Sequence, residues 1–402
     1  MEDALAIPNF RRLLAFDAAA QTNSLSRAAQ MLRLSQPALT HSIAQLEADL
    51  SERLFERSPE GAFLNEAGRV FHRRSTRFFE QIRRALAVAG GHGSDAAAID
   101  LQLSKLATAQ VRGLLAIWRA GSFRSAARTL GIAAASLQRP ARDLEQIVGV
   151  PLYRRSALGL TVNDTGAELA RRLALAIGEI RSGAEEIGAA SQARASLRVG
   201  VLALAPRVLL AKASGAVMME GGMQRIEVVE GPYAQIAHDL NDGALDLVFG
   251  ALRAPPPFAD LVEEALFEDP YAIACRHGHP LTKRSEVAPS ALARFDWLHP
   301  TAGLPRRDVL DQLTAAWGLA AKVQFETTCL TTITALLASS DRLSILSRWH
   351  IDLDGRLARV NHPPIPHARR DVGLTFRRTW LPTPFQAQFM EGLRGAARTI
   401  GV

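Results

Sequence analysis

Two small, mainly helical heads with β wings, each running into a long helix, and then an α/β domain: three features of this 402-residue chain predict that multidomain class. A pattern is written twice. Residues 24–68 align without a gap to residues 122–166 at an offset of 98, sharing Ser24/Ser122, Ala28/Ala126, Ala29/Ala127, Leu39/Leu137, Leu46/Leu144, Glu47/Glu145, Asn65/Asn163 and Gly68/Gly166. Copies so far apart in sequence are one domain used twice, not a solenoid. Each copy runs into a long stretch with a narrow apolar stripe, which needs a partner helix. From Ser196 the pattern turns to alternating strands and helices, the mark of a mainly parallel sheet with ligands at the strands' carboxyl ends.

In the first copy, Ser24 caps a predicted helix with Leu25, Ala28, Ala29 and Leu32 at helical spacing. After a short break at 33–35, Ser35 caps a second helix with Pro37 in its first turn, where a missing N–H costs little. Leu39, Ile43, Leu46 and Leu50 mark its inner face, and Gln36, Thr40, His41 and Gln45 its outer face. Two short helices joined by a tight turn, the second polar outside, spell a helix-turn-helix; Gln, Thr and His reach base edges in a major groove. Residues 54–57 and 62–64 read as two strands joined by a turn at 58–61, a wing, with Arg57 placed for a phosphate or the minor groove.

The runs Leu25-Ser26-Arg27-Ala28-Ala29, Leu34-Ser35-Gln36-Pro37-Ala38-Leu39-Thr40, Leu46-Glu47, Leu54-Phe55-Glu56-Arg57 and Asn65-Glu66-Ala67-Gly68 resemble the winged helix-turn-helix head of LysR-type bacterial transcriptional regulators. The resemblance implies double-stranded operator DNA as partner, with Ser35, Gln36, Pro37, Thr40, His41, Gln45 and Arg57 as the contacts of the first head. The family usually has one head, and a second accounts for the extra length of this chain.

The second head departs from the pattern. Ala133-Ala134-Ala135-Ser136 stand where the first has Ser35-Gln36-Pro37-Ala38, so Ala134 replaces the base-reading glutamine. Pro140 occupies the place of Ser42. An interior proline costs on the order of 3 kcal/mol, so this helix either starts nearer Pro140 or kinks there. Gln138, Arg139 and Arg142 on its outer face, and Arg154 and Arg155 at the wing, suit phosphates rather than bases. A basic face kept only as a solvated surface remains the plain alternative.

In the remainder, segments 197–201, 224–230, 245–250, 271–275 and 372–376 read as strands, and 208–219, 234–241, 333–338 and 384–397 as helices. The strand ending in Gly200, Gly243-Ala244-Leu245-Asp246-Leu247 and Gly278-His279-Pro280-Leu281 resemble the two-lobed, periplasmic-binding-protein-like effector domain of LysR-type regulators. The implied plan is lobe I at about 196–265 and 370–402 and lobe II at about 266–369. It also implies a small organic effector held between loops of the two lobes: Leu204, Ala205 and Pro206 on one side, and Thr301, Thr327 and Thr328 on the other. Ordinary threonine capping competes with that role for each hydroxyl. The apolar Leu204 loop argues against a strongly charged effector.

Composition sets the outer bounds. Residues 1–195 carry 25 basic and 19 acidic side chains and so hold +6 of the +7 net charge, in keeping with a nucleic-acid partner. Two cysteines, Cys275 and Cys329, argue for a reducing compartment. No apolar run reaches a membrane span and the acidic N-terminus is not a signal peptide, so the expected place is the cytoplasm. Cys275, His277 and His279 alternate in a way that invites a metal, but the family's turn signature explains them better. No resident metal or cofactor is expected, and nothing near either thiol in the sequence lowers its pKa clearly. Gly-x-Ser-x-Gly, Gly-x-x-x-x-Gly-Lys and His-Glu-x-x-His motifs are absent, and the pair Glu263-Glu264 has no catalytic context, so an enzyme is not expected.

The expected organisation is a first head and long helix at 1–90, a second at 104–190, and an effector domain at 196–402. In the family two chains pair the helices after their wings, antiparallel. Here one chain owns two such helices, at about 65–89 and 163–188, with stripes Phe71/Phe78/Ile82/Leu86 and Leu169/Leu173/Ile177/Ile180/Ala184/Ile187. A connecting segment from Gly90 to about Ser104 would span roughly 45 Å if extended, more than such a helix measures, which permits intrachain pairing. The expected assembly is a homo-oligomer, a dimer of chains that each pair their own heads. Two alternatives stay open: a constitutive DNA-binding regulator with a vestigial pocket, and a small-molecule-binding protein whose heads serve oligomerisation.

Overall fold

The computed structural model describes residues 7–58, 61–90, 95–157, 159–188, 195–219, 224–319 and 323–399. The chain forms two compact units, one ending at Ser196 and the other built from nearly all that follows. The predicted wing turn falls partly, and the linkers at 91–94 and 189–194 wholly, outside the described residues.

The first unit is the duplicated part. Its first copy comprises α1 (Phe10–Thr22), α2 (Leu25–Met31), α3 (Gln36–Leu50), β1 (Phe55–Ser58), β2 (Gly61–Leu64) and α4 (Glu66–Gly90). After α5 (Ala96–Lys105) come α6 (Thr108–Ala120), α7 (Phe123–Leu130), α8 (Ala135–Val148), β3 (Tyr153–Ser156), β4 (Gly159–Val162) and α9 (Asp164–Ile187). Five of the six elements of the second copy start 98 residues after their counterparts; α8 starts one residue later. The opening helices α1 and α6 are additions to the sequence reading. The Asn9 side chain caps α1, while α6 begins with a Gln110 side chain accepting from the Ala107 N–H.

The same hydrogen bonds hold both heads. The Glu47 carboxylate accepts from the Leu54 N–H at 2.8 Å and the Phe55 N–H at 3.3 Å, and Glu145 does the same for Leu152 and Tyr153 at 2.8 and 3.3 Å. Each carboxylate ties the end of a recognition helix to the first wing strand. Asn65 and Asn163 accept from the N–H of Gly68 and Gly166 at the start of each long helix, at 2.7 and 2.8 Å. The glycines are required by space: an added Cβ would lie 2.0 Å from the Leu54 carbonyl oxygen at Gly68 and 2.4 Å from that of Leu152 at Gly166.

Helices α4 and α9 pack along each other within one chain. Arg74 reaches Glu186 near the end of α9, while Arg77 and Gln81, further along α4, reach back to Glu179, so the pair is antiparallel. Phe71, Phe78, Ile82 and Leu86 are buried with Leu169, Leu173, Ile180 and Ile187 in one apolar core; Ile177 is partly buried against it and Ala184 is half-buried. The connection between the heads does not need its full extended reach. Residues 96–105 form α5, capped by Asp95, and Arg83 of α4 holds Asp100 at 2.7 Å. The reason is local: Ile99 and Leu103 lie one helical turn apart and both bury.

In the second unit, β5 (Ser196–Val201), α10 (Arg207–Met218), β6 (Arg225–Glu230), α11 (Tyr233–Asn241), β7 (Leu247–Ala251) and β8 (Leu261–Glu268) open the first lobe. The second lobe holds β9 (Tyr271–Arg276), α12 (Pro289–Leu292), β10 (Trp297–Pro300), α13 (Pro305–Trp317), β11 (Val323–Thr327), α14 (Leu330–Ala338), β12 (Ser344–Ser347), α15 (Arg348–Leu353) and β13 (Leu357–Arg359). The chain returns through β14 (Asp371–Arg377) and closes with α16 (Pro384–Arg398). Strand β8 extends to Glu268, so the first lobe runs a few residues further than the sequence plan. The first sheet has the order β6-β5-β7-β14-β8.

The expectation of a mainly parallel sheet needs correcting. Strands β5 and β7 are parallel, as are β10 and β11, but β14 runs antiparallel to both β7 and β8, and β9 antiparallel to β12 and β13. The excursion through the second lobe brings the chain back from the far end of the sheet, so β14 inserts against the direction of its neighbours. Gly373 makes the insertion fit, since a Cβ there would lie 1.9 Å from the Glu264 carbonyl oxygen.

Candidate functional site

The first recognition helix, α3, begins at an unhindered, solvent-facing end. The Ser35 hydroxyl accepts from the Ala38 N–H at 3.3 Å, and Pro37 sits in the first turn. Leu39, Ile43 and Leu46 bury one face. On the other side Ser35, Gln36, Pro37 and His41 are exposed, and Thr40 and Gln45 half-buried. The outer face named in the sequence thus carries solvent-facing side chains at the start of α3. Arg57 lies on β1 opposite Ala62; its side chain is outside the described residues.

The second recognition helix, α8, has the same apolar anchors, Leu137, Ala141 and Leu144, but a different start. Ala134 offers no side-chain cap. Instead the first N–H groups make three-residue bonds, Ser136 to the Ala133 carbonyl at 2.9 Å and Leu137 to Ala134 at 3.2 Å. Of the two expectations for this helix, a start near Pro140 is overturned: α8 begins at Ala135 with Pro140 inside it. Gln138, Arg139, Arg142, Arg154 and Arg155 are exposed. The face is basic and solvated, with small side chains at its leading turn.

In the second unit, a cavity of about 350 Å³ is lined by Leu204, Ala205, Pro206, Arg207 and Val208 on one wall and by Trp349, His350, Leu353, Asp354 and Gly355 on the other. The two walls share a chain of hydrogen bonds. Arg370 donates to the Leu204 carbonyl at 3.0 Å and to Asp269 at 2.6 Å, and the other Asp269 oxygen accepts the Trp349 N–H at 3.0 Å. Arg370 also lies over the Tyr271 ring, 5.5 Å from its centroid. His350 bonds the Thr334 hydroxyl at 3.2 Å. Burial, aided by Arg207 and Arg306, holds its imidazole below the ordinary histidine range.

Arg306, in the first turn of α13, is buried to 5% exposure. It donates to the Thr328 carbonyl at 3.4 Å, and among the described residues no carboxylate lies within salt-bridge distance. Burial lowers its pKa. Thr301, Thr327 and Thr328 do not line the cavity. Pro300 pairs with Thr327, so Thr301 and Thr328 follow the carboxyl ends of the parallel strands β10 and β11. The Thr327 hydroxyl accepts the Cys329 N–H at 3.0 Å, a local cap. Sequence reasoning thus named one wall of the cavity and missed the other. The available signal was the aromatic and imidazole pair Trp349-His350 in the first turn of the helix that Ser347 caps.

The cysteine and histidine cluster also resolves. Cys275 is buried, with its thiol pushed up to about 12 chiefly by burial. His279 uses Nδ1 to accept the Leu281 N–H and places Nε2 by the Asp341 carbonyl. Among the described residues no group of three potential ligands converges. Cys329 corrects one expectation: it is exposed at the start of α14, and the Thr332 hydroxyl, with the N–H groups of Thr332 and Thr331, lowers its pKa. The paired Glu263-Glu264 serves structure; Glu263 accepts the Arg253 N–H and Glu264 holds Arg394.

Comparison with known families decides the identity. The bacterial regulatory helix-turn-helix protein, lysR family, matches residues 10–69 and again 108–167, and the LysR substrate binding domain matches residues 190–398. The chain belongs to the LysR family. It is a DNA-binding transcriptional regulator with a domain for a small-molecule effector, and its helix-turn-helix head is duplicated. Among LysR-family relatives, the transcriptional regulator GalR of Pseudomonas putida KT2440 is 28% identical over 392 residues, covering 96% of this chain and 97% of the relative. What is left unmatched is smaller than one head, so both heads have counterparts there. PcaQ of Agrobacterium fabrum C58 is 26% identical over 276 residues, covering 68% of this chain and 89% of its own. A full-length OxyR variant from Pseudomonas aeruginosa shares the fold at a TM-score of 0.51 and 20% identity, over 72% of this chain and 94% of that one. Among the described residues of this LysR-family chain no helix is long and apolar enough to cross a membrane.

Proposed function

We propose that the two heads divide the work on the operator: the first reads bases and the second grips phosphates. The carrying observation is the contrast at the leading turns, where exposed Gln36 and His41 on α3 stand against Ala133, Ala134 and Ala135 on α8. Gln36, Thr40, His41 and Gln45 supply sequence readout, Ser35 and Pro37 set the helix end, and Arg57 contacts the backbone. Gln138, Arg139, Arg142 and Arg155 supply salt-dependent, sequence-tolerant affinity. The protein acts in the cytoplasm, as a homo-oligomer of chains that each bring two heads.

The effector is an organic anion bound against the Leu204 loop: the apolar loop alone argues against strong charge, but the buried Arg370 that holds the Leu204 carbonyl favours it. Two buried guanidiniums, Arg306 and Arg370, accompany one buried carboxylate, Asp269, and a buried charge is retained only where a partner compensates it. The proposed role of Thr301, Thr327 and Thr328 is to bound this site on the α14 side, beside Arg306. Occupancy loads the Leu204–Arg370–Asp269–Trp349 chain and so shifts the two lobes between states of different operator affinity. A space of about 350 Å³ disfavours the vestigial-pocket alternative. The test is a thermal-shift panel of carboxylates and their neutral amides. Stabilisation by a carboxylate, absent with its amide and abolished in Arg306→Gln, is expected. Stabilisation by neutral compounds alone would refute an anionic effector.

A further inference from the structure

The duplication is a pseudo-two-fold: the offset of 98 that relates the heads also relates α4 to α9, which start at Glu66 and Asp164. Such an axis generates every cross-helix contact twice. One contact is not repeated. Arg74, at 1% exposure, is held by Glu179 at 2.8 Å and by Glu186, with Arg73 on Glu186 and Arg77 on Glu179, each at 3.0 Å. The residue equivalent to Arg74 is Arg172, and those equivalent to Glu179 and Glu186 are Gln81 and Val88. Arg172 pairs with Glu168 on its own helix and stays part-exposed.

Space follows the same asymmetry. Gly183 faces the Arg74 stem; a Cβ there would lie 3.0 Å from the Arg74 Cβ and 3.1 Å from the Phe71 ring. Its equivalent on α4 is Ala85. Near the middle of the pairing, the fully buried Phe78 and Phe79 on α4 correspond to the smaller Ala176 and Ile177 on α9.

We infer that α4 and α9 are obligate partners of each other: Arg74, Glu179, Glu186 and Gly183 form an asymmetric lock that excludes pairing of either helix with its own copy, so each chain closes its own head pair. An α4 pairing with α4 would bury two guanidiniums against Gln81 and Val88 with no acid and set Ala85 where a Cβ is crowded by the Arg74 stem. A buried charge stripped of its partner is among the costliest defects in a core. An α9 pairing with α9 would oppose Ala176 to its like and leave the phenylalanine volume empty. A head-to-head contact between two chains must then use another surface. The inference holds whatever the heads bind.

The experiment is a charge-swap cycle on the full chain, read by thermal unfolding of the duplicated unit at protein concentrations spanning about a hundredfold. Arg74→Glu alone, and Glu179→Arg with Glu186→Arg, should each lower the transition by on the order of 10 °C. The combined triple variant should lose clearly less than the sum of the two, although Arg73 and Arg77 then face like charge, and the transition of the unaltered chain should not move with concentration. If Arg74→Glu does not yield folded protein, Arg74→Gln with Glu179→Gln and Glu186→Gln supplies the same coupling. Additive losses, or a transition that climbs with concentration, would overturn the inference. Operator affinity, measured separately, tests the proposed reading by the first head and leaves this result untouched.

Discussion

The two heads of this chain share a scaffold and differ in what they present. Both keep the glutamate that ties recognition helix to wing, the asparagine that caps the long helix, and the glycine wedged under a strand carbonyl. These groups satisfy backbone atoms the fold itself leaves open, so they persist whatever the head binds. The leading turn of the recognition helix satisfies only its own cap, through Ser35, and there Ser35-Gln36-Pro37 has become Ala133-Ala134-Ala135. Backbone strain differs as well. Asn23, Arg33 and Ser51 hold left-handed conformations in the first head, and Gly121, Gly131 and Gly149 take the equivalent places in the second. The first head thus tolerates strain and carries side chains at turns; the second is relaxed and bare.

The strongest way to test the shared scaffold is Gly68→Ala and Gly166→Ala. Each new Cβ would collide with a backbone carbonyl that cannot rotate away. Each change should cost about 3 kcal/mol or more of stability in the duplicated unit, measured by denaturant unfolding. If the heads divide labour, Gly68→Ala should also abolish operator recognition at temperatures where Gly166→Ala weakens binding to all DNA alike.

Gln36→Ala bears on the difference itself. It should lose about 1–3 kcal/mol for the operator and little for random duplex. Arg142→Ala should lose affinity evenly on both and reduce the slope of binding against salt. A Gln36→Ala loss equal on both DNAs would place base reading elsewhere.

Much of this contrast was legible in the sequence because it is local. Capping serines, an apolar stripe and an alanine run each declare themselves within a turn or two. The opening helices carried a signal of the same kind, since α1 buries Phe10, Leu13 and Phe16 and α6 buries Val111, Leu114 and Ile117 at helical spacing, but both lie ahead of the repeated residues 24–68 and 122–166 that mark the heads in the sequence. Half of the cavity was hidden because Leu204 and Trp349 are linked through Asp269 and Arg370, which stands just ahead of β14 where the chain returns from the second lobe. Arg306 was invisible for another reason. A charged residue in the first turn of a helix reads as solvated, and only the packing of α13 reveals it as buried.

Pro140 offers a smaller effect of opposite sign. It lacks the N–H that would reach the Ser136 carbonyl, and the tight three-residue bonds before it absorb only part of the misfit. Pro140→Ser, which restores the residue of the first head, should raise the stability of the second head by about 1–2 kcal/mol. An unchanged transition would mean that the proline's rigidity in the unfolded chain offsets the missing bond.

Arg33→Gly sharpens the comparison at its finest grain. Arg33 stands at φ +55° in the turn between α2 and α3, where Gly131 of the second head sits at φ +66°. A side chain in that region costs roughly 1 kcal/mol, and glycine removes the cost while losing somewhat more entropy on folding. The net stability change should therefore stay within about 0.5 kcal/mol. The exposed guanidinium lies on the turn leading into α3, which suits a phosphate contact. The substitution should thus weaken binding to operator and random DNA by the same modest factor and lower the salt slope by about one. If binding is untouched, the strained arginine serves neither fold nor DNA contact, and the two heads differ at this turn without consequence.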